Sequence, residues 1–338
     1  MHFRHLCLCG VFLCVQSLVF PAIAAEEDRG TYNLLIENDR FANTDRHYTH
    51  GTRFSWLSPA DDVPEWSRKA AEHLPLFATT GTLRIGYGLG QSIFTPEDTD
   101  ARALVPGDRP YAGWLYGAMS LHSVNNDPDD PEFKELESIE INLGIVGPQA
   151  FGQETQDLVH NIRVIDRFEG WDNQLKNEPG VLLMYERKWR LADPARLGPL
   201  QIDFVPYAGA SLGNVLTHFN AGGSVRYGHN IPKDFGPPGL IKGLTSMDAI
   251  PEENWSLYAF AGAEGRYVAR NIFLDGNTFA DSHSVKKNRW VADLSIGIAL
   301  IIWRVKFSYT NALRTREFVG QDNNARFGSI SASWQMKF

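Results

Sequence analysis

The chain ends in the decapeptide Ser329-Ile-Ser-Ala-Ser-Trp-Gln-Met-Lys-Phe338, in which every second residue is apolar. The alternating residues are Ile330, Ala332, Trp334, Met336 and Phe338. Strict alternation places one apolar row on one face of a β-strand and the polar residues on the other face. In an exported chain, repeated segments of this kind are typical of a barrel that faces lipid outside and a polar lumen inside. The decapeptide therefore predicts a strand of a membrane barrel.

The N-terminus predicts export. Arg4 provides a basic start, residues 6–20 are mostly apolar, and Ala22-Ile-Ala24 has the small residues of a cleavage site. We predict that residues 1–25 are a signal peptide and that residues 26–338 form one barrel domain. Phe338 resembles the C-terminal sorting signal of bacterial outer-membrane barrels, so the expected location is the outer membrane.

Composition narrows the class of protein further. The three cysteines lie at positions 7, 9 and 14, inside the predicted signal peptide, so the mature chain has neither disulfides nor cysteine metal sites. A formal charge of -8 argues against nucleic acid as a partner. The mean hydropathy is -0.26, and the longest later apolar run, residues 296–303, is far short of the ~20 residues of a spanning helix. The mature protein is either soluble or crosses the membrane as strands.

Alternating segments recur along the whole chain, and residues 290–302 form the longest one. We predict an all-β fold, a transmembrane antiparallel barrel of twelve strands, because an even number closes without an open edge. The strands are predicted to begin near residues 31, 51, 82, 111, 135, 180, 203, 217, 255, 289, 303 and 328. Aromatic residues near segment ends predict the interface girdles, namely Trp56, Trp114, Tyr116, Trp189, Trp255, Trp290 and Trp303.

One segment breaks the two-residue period. Residues 151–165 predict a helix with Leu158, Ile162 and Ile165 on one side and Gln153, Gln156 and His160 on the other. A single helix cannot join the strand ladder, so it is expected in a loop or a plug. Its glutamine and histidine side is a candidate site, although an isolated helical histidine is often structural or solvated.

A second polar cluster lies where the first two predicted strands meet. Glu37-Asn-Asp39 ends the first strand, and residues 43–51 lead into the second with asparagine, aspartate and threonine side chains. Their oxygens would suit a hard cation such as calcium. The same residues are also common in a polar hairpin. The chain contains no Gly-x-Ser-x-Gly elbow, His-Glu-x-x-His pair or phosphate loop.

Several ordered motifs resemble the outer-membrane lipid A 3'-O-deacylase (LpxR) family. They are Glu37-Asn-Asp39, Thr44-Asp-Arg-His-Tyr-Thr-His-Gly51, Pro106-Gly-Asp-Arg-Pro-Tyr-Ala-Gly113, Gly144-Ile-Val-Gly-Pro148, Gly152-Gln-Glu-Thr-Gln-Asp-Leu-Val-His160 and Gly170-Trp171 with Gln174-Leu175. The likeness keeps its order from about residue 31 to Phe338. It is the ordered set, rather than any one motif, that is specific.

The resemblance implies a twelve-stranded barrel with an active site between the wall and a short loop helix. It implies calcium-dependent hydrolysis of the ester that holds the 3'-linked acyloxyacyl group of lipid A in lipopolysaccharide. The family's catalytic positions fall on His160, Gln156 and Asn38, and its metal positions on Asp39, Thr49, Gly51 and Asp166. Asp166 stands where some members have glutamate. In this scheme, His160 accepts a proton from the attacking water.

The chain departs from the family after Thr95-Pro96, where some members place lysine and arginine. Here the loop has Glu97, Asp98 and Asp100, with Arg102 as the basic residue, so the contacts to lipid phosphates are open. Two alternatives remain at this stage, a serine-dependent outer-membrane phospholipase and a non-catalytic outer-membrane barrel. The expected partners are lipopolysaccharide and the outer membrane, and the expected state is a monomer.

Overall fold

A computed structural model of the chain describes residues 30–39, 47–75, 77–126, 134–163, 167–236 and 254–336. The predicted signal peptide, Asp166 and Phe338 lie outside the described residues. The strands are β1 (Gly30–Asn38), β2 (His47–Leu57), β3 (Thr82–Thr95), β4 (Ala112–Asn126), β5 (Lys134–Val146), β6 (Glu178–Arg190), β7 (Ala195–Leu197), β8 (Leu200–Gly213), β9 (Leu216–His229), β10 (Trp255–Asn271), β11 (Trp290–Ile302), β12 (Val305–Arg314) and β13 (Ala325–Met336). The helices are α1 (Glu65–Glu72), α2 (Gly152–Arg163) and α3 (Ile272–Asp275).

The strands close into a barrel. Successive strands pair antiparallel, β6 pairs with β8, and β1 pairs with β13 along its whole length. The short β7 only forms a hairpin with β8 and stands outside the ring. The predicted fold class and the number of twelve barrel strands are confirmed, and each predicted start lies within four residues of the observed one.

Alternation along the strands separates an outward face from the lumen. On β11, Trp290, Leu294, Ile296 and Ile298 are exposed, whereas Val291, Asp293, Ala299 and Ile301 are buried. Two of the predicted girdle aromatics are placed wrongly by the sequence. Trp114 and Tyr116 are buried on the lumen face, where they pack with Phe273 of α3. The sequence shows that they share a face, but barrel closure decides which face it is.

The lumen is filled along its length. Near the middle, Arg53 of β2 makes a bidentate pair with Glu140 of β5 at 2.8 Å for both bonds. Towards one end, Phe273 stacks on Phe94 with ring centres 3.9 Å apart. Towards the other end, Asp234 contacts the guanidinium of Arg226. A cavity of about 90 Å³ lies beside the Phe94–Phe273 stack, with Trp114, His218 and Arg314 in its lining.

The two ends of the barrel differ. β1, β3, β5, β8, β10 and β12 all end at one rim, called the loop rim here because the connections that contain α2 and α3 leave from it. α1 belongs to the other end, where Ala71 packs on Leu83 and Ile85 of β3. No helix in the described part of the chain is long and apolar enough to cross a membrane. α2 is thus the helix that the sequence predicted, and its loop joins β5 to β6.

A candidate active site on the outer wall

Four neighbouring strands bring one row of residues together below the loop rim. Strand pairing places Asn38 beside His50, His50 beside Ile93 and Ile93 beside Gly113. The row lies on the outward face. Ile93 and Leu89 are four residues apart on β3 and therefore point to the same side of the strand, and Leu89 is 60% exposed. Strands are about 4.8 Å apart, so the row spans roughly 14 Å. It forms the floor of the candidate site.

Two glycines allow α2 to lie directly on this floor. A Cβ atom on Gly113 would come within 3.0 Å of the Ala150 Cβ and 3.2 Å of the Gly152 nitrogen. The Gln91 amide of β3 donates to the carbonyl oxygens of Ala150 and Phe151 at 2.7 and 3.2 Å. α2 therefore begins over β4, and it also packs on β3. At a rise of 1.5 Å per residue, the helix places position 160 about 12 Å from its first residue, close to the length of the row.

The polar residues of α2 point at the wall. Gln156 and His160, one turn apart, are each only 4% exposed. The His160 ring makes an edge contact with Phe168 at 4.8 Å between ring centres. Gln153 is exposed and does not join them, so the predicted polar side is right for two of its three residues. Ile162 of the opposite side is 74% exposed.

The orientation of the Gln156 amide is fixed by Trp171. The indole Nε1 donates a hydrogen bond of 2.9 Å to Gln156 Oε1. Because an indole nitrogen can only donate, the oxygen of the amide must face it. The Gln156 Nε2 is buried and has no hydrogen-bond partner among the described residues. The site therefore offers a buried donor that can bind an oxygen atom of a ligand.

Trp171 is itself packed firmly against the wall. Its ring lies 4.9 Å from that of Tyr111, and both belong to one buried cluster with Ile93 and Phe168. Burial raises the pKa of the Tyr111 phenol, and the carboxylates of the neighbouring loop raise it further. The phenol hence stays protonated at neutral pH and is no candidate base. Trp171 and Tyr111 both lie within the motifs that resemble the family, but the sequence alone does not indicate their role.

The described residues of the polar cluster that the sequence predicts at positions 37–51 lie where β1 ends and β2 begins. Asn38 Nδ2 donates to the carbonyl oxygen of Thr49 at 2.8 Å, and the Thr49 hydroxyl shares a 2.6 Å hydrogen bond with that of Thr95. A register shift between Tyr48 and His50 leaves Thr49 out of the ladder with β3, as at a β-bulge. Asp39 follows Asn38 directly and is 0% exposed.

The donor chemistry of this cluster fits a hard cation. Asp39 offers carboxylate oxygens, Thr49 a hydroxyl and a carbonyl, and Gly51 a carbonyl, which are the ligand types that calcium prefers. Within the described residues, no group of three or more histidines, cysteines or carboxylates could hold a metal. Of the predicted ligands, the described three thus supply one carboxylate and neutral oxygens, and Asp166 lies outside the described residues.

The loop after β3 is bound to the segment that follows α2. Arg102 forms an ion pair with Glu169, with Nη2 3.1 Å from Oε1, and this hydrogen bonding lowers the pKa of the Glu169 carboxyl. The other arginine of the loop, Arg109, is buried and contacts Glu317 at 3.3 Å. Both arginines of this loop therefore have carboxylate partners within the protein.

Serine–histidine pairs lie inside the barrel, away from this row. His122 has a ring nitrogen 2.8 Å from the Ser138 hydroxyl and another 2.9 Å from the Ser120 hydroxyl. Its side chain is fully buried on the lumen face of β4. A lipid in the surrounding membrane would meet the outward face of the wall and could not reach this histidine. The pairs are consistent with structural hydrogen bonding inside the lumen.

Comparison with known proteins places the chain. The family model described as "Outer membrane protein LpxR" matches residues 6–336. Among solved structures, LpxR from Salmonella typhimurium superposes with a TM-score of 0.70 and 20% sequence identity, over 90% of this chain and 99% of that one. No curated protein sequence matches.

More distant solved barrels are similar in outline only. The β domain of the Bordetella autotransporter BrkA gives a TM-score of 0.43 at 9% identity, covering 92% of this chain and 100% of that one. The KdgM porin gives 0.37 at 6% identity, covering 91% and 99%. The family match extends over almost the entire sequence, and the barrel shares its fold with the Salmonella protein. The chain belongs to the LpxR family of outer membrane proteins.

Proposed function

We propose that the protein hydrolyses the ester that holds the 3'-linked acyloxyacyl group of lipid A. The observation that carries the proposal is a set of buried polar side chains on the outward face of the wall, with Gln156 and His160 beside the Asn38 row. Lipid-facing surfaces are normally apolar, and desolvated polar groups are costly unless they bind something. A hydrolytic site that receives its substrate from the membrane accounts for this placement.

His160 is assigned the role of general base. A nitrogen of its neutral ring takes a proton from water while the water oxygen attacks the carbonyl carbon. When the tetrahedral intermediate collapses, the same ring returns the proton to the departing sugar oxygen. The products are the free acyloxyacyl acid, with its secondary ester intact, and the lipid with a free 3'-hydroxyl, and no acyl-enzyme forms. Because only the neutral ring accepts a proton, the rate is expected to fall in acid.

Gln156 and Asn38 are assigned to binding. The Gln156 Nε2 donor would bind the carbonyl oxygen of the ester, which gains negative charge as the water attacks. Asn38 would hold the Thr49 carbonyl in place through its 2.8 Å hydrogen bond. Calcium, when bound by Asp39, Thr49, Gly51 and Asp166, supplies positive charge that polarises the ester carbonyl.

The decisive experiment is mass spectrometry of lipid A from cells that express the protein. The wild-type chain should remove a mass equal to the acyloxyacyl group, and His160→Ala should not. Asn161→Ala is the matched control, since the neighbouring side chain is exposed and takes no part in the site. Unchanged lipid A, both in cells and with the purified protein in calcium and detergent, would refute the proposal.

We further propose that the protein acts as a monomer.

The serine-dependent alternative has a direct test. The proposed chemistry uses water and no serine nucleophile, so a serine-directed phosphonate or sulfonyl fluoride should leave deacylation unchanged. Covalent labelling together with loss of activity would favour the phospholipase mechanism instead.

A further inference from the structure

α2 has three distinct sides, and the proposed chemistry uses only one of them. Gln156 and His160 face the wall. Asp157 and Asn161, one turn apart, form a polar stripe on a second side. Leu158 and Ile162, one turn apart, form a third side, and together with Phe151, which directly precedes the helix, they are called the apolar stripe here. Phe151, Leu158 and Ile162 are 55%, 59% and 74% exposed.

This arrangement is the reverse of a helix on a water-soluble protein. There, a surface helix buries its apolar residues and exposes its polar ones. Here the helix buries an amide and an imidazole while its large apolar side chains project from the protein. Water is a poor environment for such a stripe, because the hydrophobic effect favours its removal from water.

The residue that begins the apolar stripe adopts an unfavourable backbone conformation. Phe151 has φ 55°, in the left-handed region that favours glycine and is costly for a bulky side chain. Phe151 ends the short helical turn Pro148–Ala150, and its amide donates to the Pro148 carbonyl oxygen at 3.0 Å, so this turn holds the residue in the left-handed region and leaves its ring more than half exposed. Strain of this kind persists where the surroundings or the function require it.

The apolar stripe continues the lipid-facing surface of the barrel. The Phe151 carbonyl is hydrogen-bonded to Gln91, and two residues along the same outward face of β3 lies Leu89, which is 60% exposed. Two residues along a strand cover about 7 Å. The loop that contains α2 joins β5 to β6. Close to this loop, Leu143 of β5 is 54% exposed and Val181 of β6 is 46% exposed.

We propose that the apolar stripe is immersed in the hydrocarbon of the surrounding lipid leaflet, so that α2 lies along the membrane interface. The polar stripe then faces the headgroups, and the wall side closes over the candidate site. Helices with one apolar and one polar side adopt this position at membrane surfaces. Resting on the proposed function, this places His160 where an acyl ester enters sideways from the lipid layer.

The placement can be measured without reference to activity. All cysteines of the chain lie at positions 7, 9 and 14, so a single cysteine introduced into the mature protein can carry a nitroxide label. Leu158→Cys and Ile162→Cys report on the apolar stripe, and Asp157→Cys and Asn161→Cys are matched controls on the polar stripe. The protein is reconstituted in phosphatidylethanolamine–phosphatidylglycerol vesicles, and collisions with oxygen and with a water-soluble nickel chelate are compared.

The ratio of oxygen to nickel collisions should be severalfold higher at positions 158 and 162 than at positions 157 and 161. Equal ratios at all four positions would overturn the proposal. A ratio at positions 158 and 162 that rises only after lipid A is added would also overturn it, because the stripe would then bind the substrate's chain rather than the bulk lipid.

Phe151→Gly provides a second variant that does not threaten folding. Glycine accepts the left-handed conformation, so the barrel should assemble as before while the ring is lost. The label at position 158 should then become more accessible to the nickel chelate. No change in that accessibility would mean that Phe151 does not anchor the helix.

Activity separates this proposal from the proposed function. Ile162→Asn should slow the hydrolysis of lipid A in vesicles severalfold and leave the hydrolysis of detergent-dispersed lipid A unchanged. An equal loss in both would count against a membrane role for the stripe. If the wild-type protein hydrolyses neither preparation, the proposed function fails, while the label measurements still decide the position of α2.

Discussion

His160 is the residue on which the enzymatic proposal depends. General-base catalysis typically contributes about 10²–10⁴-fold to a rate, so His160→Ala should lower kcat by that factor. The barrel should still fold, because α2 lies outside the strand ladder. The measurement is the initial rate on purified lipid A in detergent with calcium, and Asn161→Ala serves as the control. A loss of less than about tenfold would assign His160 a positional role.

Trp171 is expected to act through Gln156 rather than on the substrate. Trp171→Phe keeps an aromatic ring against Tyr111 and removes the indole donor, so the amide can turn its oxygen towards the site. A hydrogen bond is worth about 1 kcal/mol, so kcat should fall by about five- to tenfold with little change in KM. In a Gln156→Ala background, the same substitution should cost almost nothing more. Additive losses would indicate that Trp171 has a merely structural effect.

For individual residues, the sequence predicts which side chains share one side of a helix, but not which other residues they contact. The four-residue interval between Gln156 and His160 places them on one side of any helix, and both are buried as a pair. The prediction that Gln153 lies with them is wrong, because the sequence does not specify which side chains of the helix contact the barrel wall. Trp171 follows Gln156 by fifteen positions in the sequence, and nothing in the sequence shows that its indole contacts the amide.

The contact between α2 and β4 can be tested by a substitution at Gly113. Gly113→Val places a branched side chain where Ala150 and Gly152 already lie within about 3 Å of the new Cβ. The helix should be displaced and activity lost, while heat-modifiable migration on a gel shows that the barrel has formed. Gly117→Val is the control, because a Cβ there meets nothing within 4 Å on the same strand and face. Equal activity of the two variants would contradict the docking of α2 on β4.

The junction of β1 and β2 should make the activity depend on calcium. A chelator is expected to abolish hydrolysis and calcium to restore it, with zinc a poor substitute because the predicted ligands are all oxygens. Asp39→Asn should raise the calcium concentration needed for half-maximal rate, since Asp39 is the one carboxylate among the predicted ligands that the structure describes. Full activity in excess chelator would remove the metal role proposed for Asp39, Thr49, Gly51 and Asp166.

The strands were the easiest elements to predict, and their environment was harder. A two-residue period over 290–302 is visible without any structure, and it assigns residues to two faces. It does not say which face is inside where both contain aromatic residues, as on β4 with Trp114 and Tyr116. Likewise, nothing in the eight residues of α1 indicates that Ala71 packs on the outward face of β3. Such contacts join parts of the chain that only closure brings together.

The whole molecule is a closed barrel whose interior is occupied by its own side chains. Arg314 and Arg266 converge on Asp293, with Arg314 donating at 2.8 and 2.9 Å. Such pairs satisfy one another's charge inside the barrel, and removing one partner leaves the other buried and unpaired. The side chains in the lumen therefore stabilise the barrel, whereas the row that carries the candidate site lies on the outside of the wall.

The occupied lumen predicts that the protein does not conduct ions. α3 fills the lumen near the loop rim, where Ile272 is fully buried beside Phe273, and Asp234 ties the segment after β9 to Arg226 and Lys306 near the other end. In a planar lipid bilayer, the purified protein should show no steady single-channel current. Ile272→Ala together with Phe273→Ala should loosen the packing and produce at most brief openings. A steady ohmic conductance of the wild-type protein would show that the lumen opens, and would favour a transport barrel over an enzyme that works on its outer surface.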